Sequence, residues 1–160
     1  MKKLFALLLC CLLLSGCAKP ASIPPHTTEP EETQQIIPEV NPEIAQLDKE
    51  YESAVSAADS NVELSDVNTR FAESWMKKIE EYYQRLYDIS PENMQILLEQ
   101  DMEQWLLYSQ RQIELEHACL DEIYGSGTII PVLISKFTYE LNREKAVEII
   151  EMYLQMNAMN

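Results

Sequence analysis

The sequence predicts an all-α fold, a small bundle of about four helices over residues 43–160 with one long central helix. Beyond Glu43, apolar residues recur at spacings of three and four, the period of amphipathic helices, and no strand pattern of useful length appears. Six of the eight prolines instead lie in residues 18–42, a stretch without aromatic residues. The 118 residues from Glu43 onward are enough for a modest core without covalent crosslinks.

The composition excludes several classes of protein. The 160 residues include 27 Asp and Glu against 12 Lys and Arg, with three glycines and four cysteines, for a formal net charge of −15. These numbers exclude a collagen-like chain, a disulfide scaffold and a polybasic nucleic-acid-binding protein. If charge selects the partner, that partner is cationic.

The N-terminus has the pattern of an export signal. Lys2 and Lys3 precede an unbroken apolar run of 11 residues, Leu4 to Leu14, which is shorter than the ~20 residues that span a bilayer as a helix. The run ends in Leu14-Ser15-Gly16-Cys17, which looks like the lipobox of bacterial lipoproteins. There, small residues precede the cleavage site and the thiol of the following cysteine takes a diacylglyceryl group. Ordinary cleavage beside an incidental cysteine is the alternative.

We therefore expect residues 1–16 to be a lipoprotein signal peptide and Cys17 to be the lipidated first residue of the mature chain. Two or more acyl chains give stable anchoring, which predicts a protein tethered at the extracytoplasmic face of the cell membrane. Residues 17–42 form the predicted flexible tether, because their Pro, Thr, Glu and Gln residues bury too little apolar surface to order the chain. A flexible coil of 25 residues reaches ~25 to 30 Å.

Cys119 is the one free thiol expected in the exported protein. Cys10 and Cys11 leave with the signal peptide and Cys17 is alkylated, so an intrachain disulfide is excluded. We expect Cys119 to be a small buried apolar residue on its helix rather than a nucleophile.

Apolar stripes predict the first two helices. Asp59-Ser60-Asn61 is predicted to separate them, and the second helix is expected to run about six turns to Ile89. The first stripe consists of Ile44, Leu47, Tyr51, Ala54 and Ala58, and the second of Val67, Phe71, Trp75, Ile79, Tyr82, Leu86 and Ile89.

Ser90-Pro91-Glu92-Asn93 predicts the start of a third helix. Ser caps free backbone N–H groups, and Pro at the first helical position lacks the N–H that would be unsatisfied there. The helix is expected to run to about Tyr124, ~34 residues or ~50 Å, as the spine of the domain. Trp105 and Tyr108 are expected in the core with their polar ends at its boundary. The apolar stripe consists of Met94, Leu97, Leu98, Met102, Trp105, Tyr108, Leu115 and Cys119.

Gly125-Ser126-Gly127 predicts the end of that helix, since glycine adopts positive φ without steric cost. Pro131 suits the first turn of a fourth helix, and Asn142 is a candidate cap for a restart within it. The stripe of the fourth helix consists of Ile134, Phe137, Leu141, Ile149, Met152 and Tyr153.

No catalytic or metal site is predicted. Glu114 and His117 have the Glu-x-x-His spacing of ferritin-like di-iron bundles, but such sites need two of these motifs and two further carboxylates. The only other histidine is His26 in the tether, so a di-iron site is excluded and His117 is predicted to lie on the surface among acids. We therefore expect no cofactor and no enzymatic activity.

The order of motifs from Trp105 to Lys145 resembles a known family. Trp105 and Tyr108 are followed by a Gly125–Thr128 loop, by Pro131, and by Leu141-Asn142 with Lys145. This segment looks like the C-terminal half of the LprI-type lysozyme-inhibitor domain family, small helical domains of exported bacterial proteins, many of them lipoproteins. In that family, Trp-x-x-Tyr-Arg-Asp-x-x-Cys leads to a Gly-Gly-Ser loop, then to Pro, a second Cys and Leu-Thr-x-x-Arg.

The largest departures from that pattern are at four positions, beside Asn142 and Lys145, which fall where Thr and Arg would. Ser109 and Gln110 stand in place of Arg-Asp, while Ile113 and Phe137 stand where the two cysteines would be. Because both of the latter are apolar, a packed pair would replace the covalent link between the third and fourth helices.

The resemblance implies a non-catalytic protein-binding domain that inhibits lysozyme. An acidic domain suits that role, because complementary fields raise the rate of encounter with a basic muramidase. Gly125, Ser126, Gly127 and Thr128 form the candidate partner-binding loop, since loops on rigid helices carry function more often than core faces do; a purely structural turn is the alternative. The other function that the sequence allows is a cell-envelope scaffold or adaptor that docks on an endogenous envelope protein.

Overall fold

The computed structural model describes residues 41–159, which form four helices and contain no strand. α1 spans Pro42–Ala57, α2 Asn61–Ile89, α3 Glu92–Tyr124 and α4 Ile130–Met159. The all-α bundle predicted from the sequence is confirmed. The predicted signal peptide, Cys17 and nearly all of the predicted tether lie outside the described residues.

Capping side chains set the starts of α1 and α2. Asn41 Oδ1 accepts a hydrogen bond from the Glu43 N–H at 2.8 Å. At the start of α2, Ser60 Oγ accepts from the Glu63 N–H at 3.2 Å, while Glu63 Oε2 accepts from the Asp59 N–H at 2.8 Å. These bonds satisfy donors that a helix start leaves without an intrahelical partner, and they explain why the predicted break between the two helices is observed.

The corner between α2 and α3 differs from the prediction. Ser90 does not cap α3, because its hydroxyl donates to the Leu86 carbonyl oxygen at 2.6 Å within the last turn of α2. The ring of Pro91 disfavours helical backbone at the residue before it, and Ser90 is accordingly extended, with ψ 143°. Pro91 then occupies the capping position itself, without a side-chain hydrogen bond.

α3 ends at Gly125, as the sequence predicts. Gly125 has φ +62°, in the left-handed region that costs a side-chain-bearing residue free energy, and its N–H donates to the Asp121 carbonyl oxygen at 2.9 Å. Pro131 lies in the first turn of α4, also as predicted.

α2 and α4 pack side by side and run in the same direction. Residues that bond across them advance together along both helices: Ser65 with Pro131, Asn68 with Ser135, Ala72 with Asn142, and Ser90 with Met156. α3 therefore runs antiparallel to both and returns the chain to the start of α4. The predicted restart at Asn142 is wrong, because α4 is continuous and the Asn142 side chain is buried, donating to the Ala72 carbonyl oxygen at 2.9 Å.

The core lies between α2 and α4. Ala72 and Ala146 are 4% and 0% exposed, and their small side chains let the two helices approach closely. The largest fully buried apolar side chains, each exposed by 1% or less, are Trp75, Ile79, Leu86 and Ile150. The core residues within the described part of the chain lie between Ile44 and Tyr153, so a chain beginning at residue 18 contains all of them.

α1 closes one side of the core. The Tyr51 ring stacks on the Tyr139 ring with centroids 3.9 Å apart and planes 15° apart, and the Tyr51 hydroxyl donates to Asn68 Oδ1 at 2.9 Å. Asp48 receives a bidentate ion pair from Arg143, with both nitrogen–oxygen distances 2.6 Å. α1 is thereby bonded to both α2 and α4.

α3 is the longest of the four helices, as predicted, but it packs along one edge only. Its buried residues are Leu98, Ser109 and Leu120, while Met102 and Trp105 are partly buried against the core. Two expectations are wrong here, because Tyr108 is 53% exposed and Cys119 is exposed. The apolar stripe of α3 is wider than the edge along which the helix packs, so its flanks remain in solvent.

Stability should fall between about pH 10 and pH 12, and Tyr139 should account for part of that fall. Burial, together with the nearby Asp48 carboxylate, raises the pKa of Tyr139 from 10.0 to about 12. Between pH 10 and pH 12 the folded state therefore keeps a phenolic proton that the unfolded state has lost. The stability that neutral Tyr139 contributes is fully present below pH 10 and is lost as the pH rises to 12. Tyr139→Phe keeps the stacked ring but cannot ionise.

The measurement is the urea midpoint of unfolding at intervals from pH 9 to pH 12. The midpoint of Tyr139→Phe should decline less steeply than that of the wild type, whereas Tyr124→Phe, which alters an exposed tyrosine, should follow the wild type. Equal slopes for all three proteins would contradict the assignment to Tyr139.

Candidate functional site

Most of the exposed large apolar side chains lie on α3. In residues 41–159, eight of the eleven are on this helix: Ile96, Leu97, Leu106, Leu107, Tyr108, Leu115, Ile123 and Tyr124. Single exposed apolar residues are normal on a protein surface, but their concentration on one helix is typical of an interaction surface. Leu97, Tyr108 and Leu115 share one side of α3, because separations of 11 and 7 residues are close to three and two helical turns. We call these three residues the α3 apolar line.

The α3 apolar line borders a groove between α3 and α4. Tyr108 belongs to both features, and Leu141 on α4 supplies the facing apolar side chain. The groove has a volume of about 220 Å³ and is lined by Trp105, Tyr108, Leu141, Glu144, Lys145 and Glu148. We call it the α3–α4 groove. Its α3 wall is aromatic, and its α4 wall carries carboxylates.

Lys145 joins the two walls of this groove. Its side chain is only 5% exposed, and Nζ donates to Asp101 Oδ2 on α3 at 2.6 Å and to Glu148 Oε1 at 3.2 Å. The two carboxylates are 59% and 54% exposed, so water also solvates them. This bridge links α3 to α4 along an edge where α3 buries few side chains.

The surface of α3, together with the adjoining part of α4, is strongly negative. α3 carries one arginine, Arg111, against eight carboxylates: Glu92, Glu99, Asp101, Glu103, Glu114, Glu116, Asp121 and Glu122. All of these except the half-buried Glu116 are exposed, and exposed Glu144 and Glu148 extend the charge onto α4. Clustered charge of one sign raises the local concentration of oppositely charged molecules.

A larger groove of about 500 Å³ lies between α2 and α4. Its lining includes four hydroxyl side chains that each donate to a backbone carbonyl: Ser65, Thr69, Ser135 and Thr138. Asn142 likewise donates to the Ala72 carbonyl oxygen. Small-molecule sites place a few polar groups so that they converge on the ligand, whereas these donors are used within the fold.

The predicted binding loop lies at the end of α3, away from the groove. Ser126 and Thr128 are exposed and Gly127 is half-buried. Twenty residues of α3 separate Trp105 from Gly125, which is ~30 Å along the helix axis. The structure therefore does not bring the loop together with the α3–α4 groove.

The remaining polar candidates on α3 form no cluster. His117 Nδ1 lies 3.0 Å from Asp121 Oδ2, with both side chains more than half exposed, so the histidine lies on the surface among acids as predicted. Glu114 Oε1 accepts a hydrogen bond from Gln110 instead. Within residues 41–159 no three His, Cys, Asp or Glu side chains are arranged to hold a metal ion. Ile113 and Phe137, predicted to pack together, are both half-buried.

Sequence reasoning placed the three residues of the α3 apolar line in the predicted apolar stripe of the helix, but it did not predict that they are exposed. The signal was present, since α3 has more apolar residues than one buried stripe accommodates, including Leu106 and Leu107 in succession. No family model matches the sequence, and neither a curated protein nor a solved structure matches it. Among the helices of residues 41–159, none is both long and apolar enough to cross a membrane.

Loss of the Asp101 carboxylate should loosen α3 without loosening the core. In Asp101→Ala, Lys145 loses its 2.6 Å partner on α3 and keeps only the longer bond to Glu148. A hydrogen bond to a charged group contributes about 1.5–3 kcal/mol, and exposure of both carboxylates places this one at the lower end. We expect amide exchange in α3 to quicken about tenfold, with the amides of α2 unchanged.

Glu103→Ala is the matched control for this variant. Glu103 is an exposed acid on the same helix, so its replacement by Ala also removes a carboxylate but leaves the bridge intact. The gain in helix propensity is smaller than for Asp101→Ala, because Glu is a better helix former than Asp, and this difference works against the expected loosening by Asp101→Ala. Hydrogen exchange followed by mass spectrometry measures both. If Glu103→Ala loosened α3 as much as Asp101→Ala, the Lys145 bridge would not be what holds the helix.

Proposed function

We propose that the protein is an extracytoplasmic lipoprotein, anchored to the cell membrane through Cys17, whose acidic helical domain binds a cationic protein without catalysing a reaction. The single observation that carries the binding role is the exposed excess of carboxylates on α3 and α4. Lysozyme is the cationic partner that the resemblance of residues 105–145 to the LprI-type family implies.

The distribution of ion pairs supports a negative binding surface. Five basic side chains in residues 41–159 are paired with carboxylates of the same domain: Lys78, Arg85, Lys136, Arg143 and Lys145. A basic side chain held in this way adds little positive field of its own. The unpaired acids therefore dominate the electrostatic potential that an approaching protein encounters. Complementary charge on that protein raises its association rate.

A non-catalytic role is supported by the way the polar side chains are used. The hydroxyls of the larger groove donate to backbone carbonyls, and the buried amides of Asn68 and Asn142 bond across α2 and α4. Catalytic sites instead aim a nucleophile, a base and an orienting group at one point in a cleft. In this domain the hydroxyl and amide side chains named above form hydrogen bonds within and between the helices instead.

Anchoring predicts that the mature chain begins at an acylated Cys17. Mass spectrometry of the N-terminal peptide, from the full chain expressed in a bacterium and recovered from its membranes, should show acyl groups on that residue. Cys17→Ser should lack them and leave the membrane fraction, while Cys119→Ser, which alters the exposed thiol of α3, should stay acylated. An unacylated mature wild-type chain would contradict the proposal.

Inhibition predicts that residues 18–160 slow the lysis of bacterial cell walls by lysozyme, followed as loss of turbidity. Their potency should fall as salt is raised to ~0.15 M, because screening then shortens the electrostatic range to ~8 Å. An unrelated domain of equal net charge is the control and should have no effect. If micromolar concentrations of the domain inhibited no type of muramidase, lysozyme would be ruled out as the partner.

A cell-envelope scaffold or adaptor is the second candidate, and the exposed apolar side chains of α3 favour it. An adaptor docks helix to helix on an endogenous protein, and for that it needs an apolar surface as well as charge. Cross-linking in intact cells should then trap one stoichiometric complex, and lysozyme lysis should be unaffected by the domain.

A further inference from the structure

We propose that the α3–α4 groove, extended by the α3 apolar line, is the docking surface for a cationic amphipathic helix of a protein partner. This inference rests on the proposed function as a protein-binding domain, and it names the surface and the chemistry of the partner. It does not depend on whether that partner is lysozyme.

The shape of the surface fits a helix. Trp105, Tyr108 and Leu141 form the apolar part of the α3–α4 groove. Leu97 and Leu115 lie 18 residues apart on the same side of α3 as Tyr108, so the surface extends ~27 Å along the helix axis. An amphipathic helix of about five turns places apolar residues at i, i+3, i+4 and i+7 along such a line.

The charges of the surface require the partner to be basic. Glu144 and Glu148 lie on the α4 wall, and Asp101 lies on α3 between two residues of the α3 apolar line. An uncharged apolar partner would remove these carboxylates from water without replacing their hydration. Lys and Arg side chains that flank the apolar stripe of the partner would form ion pairs with these carboxylates in place of the lost hydration. Lys145, bonded to Asp101 and Glu148, offsets one of these three negative charges, and the group keeps a net charge of −2.

The same charges disfavour two other occupants. A second copy of this chain would bring the eight carboxylates of its own α3 against those of the first, with one arginine on each helix to offset them. A membrane surface with anionic headgroups attracts basic rather than acidic helices. A basic helix is therefore the occupant that satisfies the apolar residues and the carboxylates together.

The structure provides an internal reporter of docking. Trp105 lines the α3–α4 groove and is half-buried, whereas Trp75 is 1% exposed in the core. A change in the accessibility of tryptophan to a soluble quencher therefore arises from Trp105. A docked helix should shield this ring, lower its quenching and shift its emission to shorter wavelength.

The test titrates residues 18–160 with a synthetic peptide of about 18 Leu and Lys residues that places all its leucines on one helical face. Three comparisons accompany it: a scrambled peptide of the same composition, a Leu/Glu peptide of the same pattern, and vesicles of phosphatidylglycerol. Tryptophan quenching and isothermal calorimetry measure binding. The patterned Leu/Lys peptide should bind at least tenfold more tightly than the scrambled peptide, and the Leu/Glu peptide should not bind.

Variants locate the surface. Tyr108→Ala and Leu115→Gln should each weaken peptide binding about tenfold, as removal of a central apolar contact does, while Val62→Gln, which alters an exposed residue of α2, should leave it unchanged. Glu144→Gln should weaken binding a few-fold and reduce its salt dependence, whereas Glu73→Gln, on the larger groove between α2 and α4, should not. All five of these side chains are exposed, and circular dichroism checks that each variant is folded.

The outcomes that overturn this proposal are distinguishable from one another and from the one that refutes only lysozyme. Equal binding of patterned and scrambled peptides, or no effect of Tyr108→Ala and Leu115→Gln, would mean that charge alone attracts cations and that the groove is not the docking surface. Self-association lost in Leu115→Gln would identify a second copy as the occupant, and vesicle binding lost in the same variant would identify a membrane. Peptide binding at the groove without any effect on lysozyme would instead refute lysozyme as partner and leave the groove in place.

Discussion

The parallel packing of α2 against α4 is the constraint on which the rest of the domain depends. Two adjacent helices that run in the same direction need a connection that returns the chain along their whole length. α3 is that connection, and its 33 residues match the 29 and 30 residues of the helices it spans. Because α2 and α4 form the core by packing against each other, α3 packs along one edge only, and its outer face stays exposed.

Buried amides fix how α2 and α4 align. Asn68 Nδ2 donates to Ser135 Oγ at 3.2 Å while its Oδ1 accepts from the Tyr51 hydroxyl at 2.9 Å, so one side chain connects α1, α2 and α4. Asn142 makes a second cross-helix bond to the Ala72 carbonyl oxygen. A shift of one residue between the helices would leave these polar groups buried without partners, which costs about 1–3 kcal/mol for each group. The amides thus select one alignment, and Ala72 and Ala146 allow the close approach that makes the bonds possible.

Local chemistry predicted the helices, but it did not predict which of them form the core. The break near Ser60 and the end of α3 at Gly125 follow from side-chain caps and from glycine, and both are signals within a few residues. Asn142 shows the limit, since an amide near a helix interior suits a cap and a buried cross-helix donor equally well from sequence alone. Periodicity likewise marks Leu97 and Leu98 of α3 as apolar without saying that one is 62% exposed and the other 7%. The α3–α4 groove was not predicted for the same reason, because it exists only once α3 has been placed against α4.

The inner and outer sides of α3 contribute to different properties of the domain, stability on the inner side and association on the outer side. Leu98 and Leu120 on the inner side remove apolar surface from water on folding, so they contribute to stability. Leu97 and Leu115 on the outer side keep more than half of their surface in water, so they contribute less burial and favour association with other apolar surfaces. The carboxylates around them keep such a helix soluble by repelling like-charged neighbours. A helix that retains exposed apolar residues and surrounds them with charge of one sign is therefore selective, since it repels acidic surfaces and its own copies while remaining open to a basic apolar one.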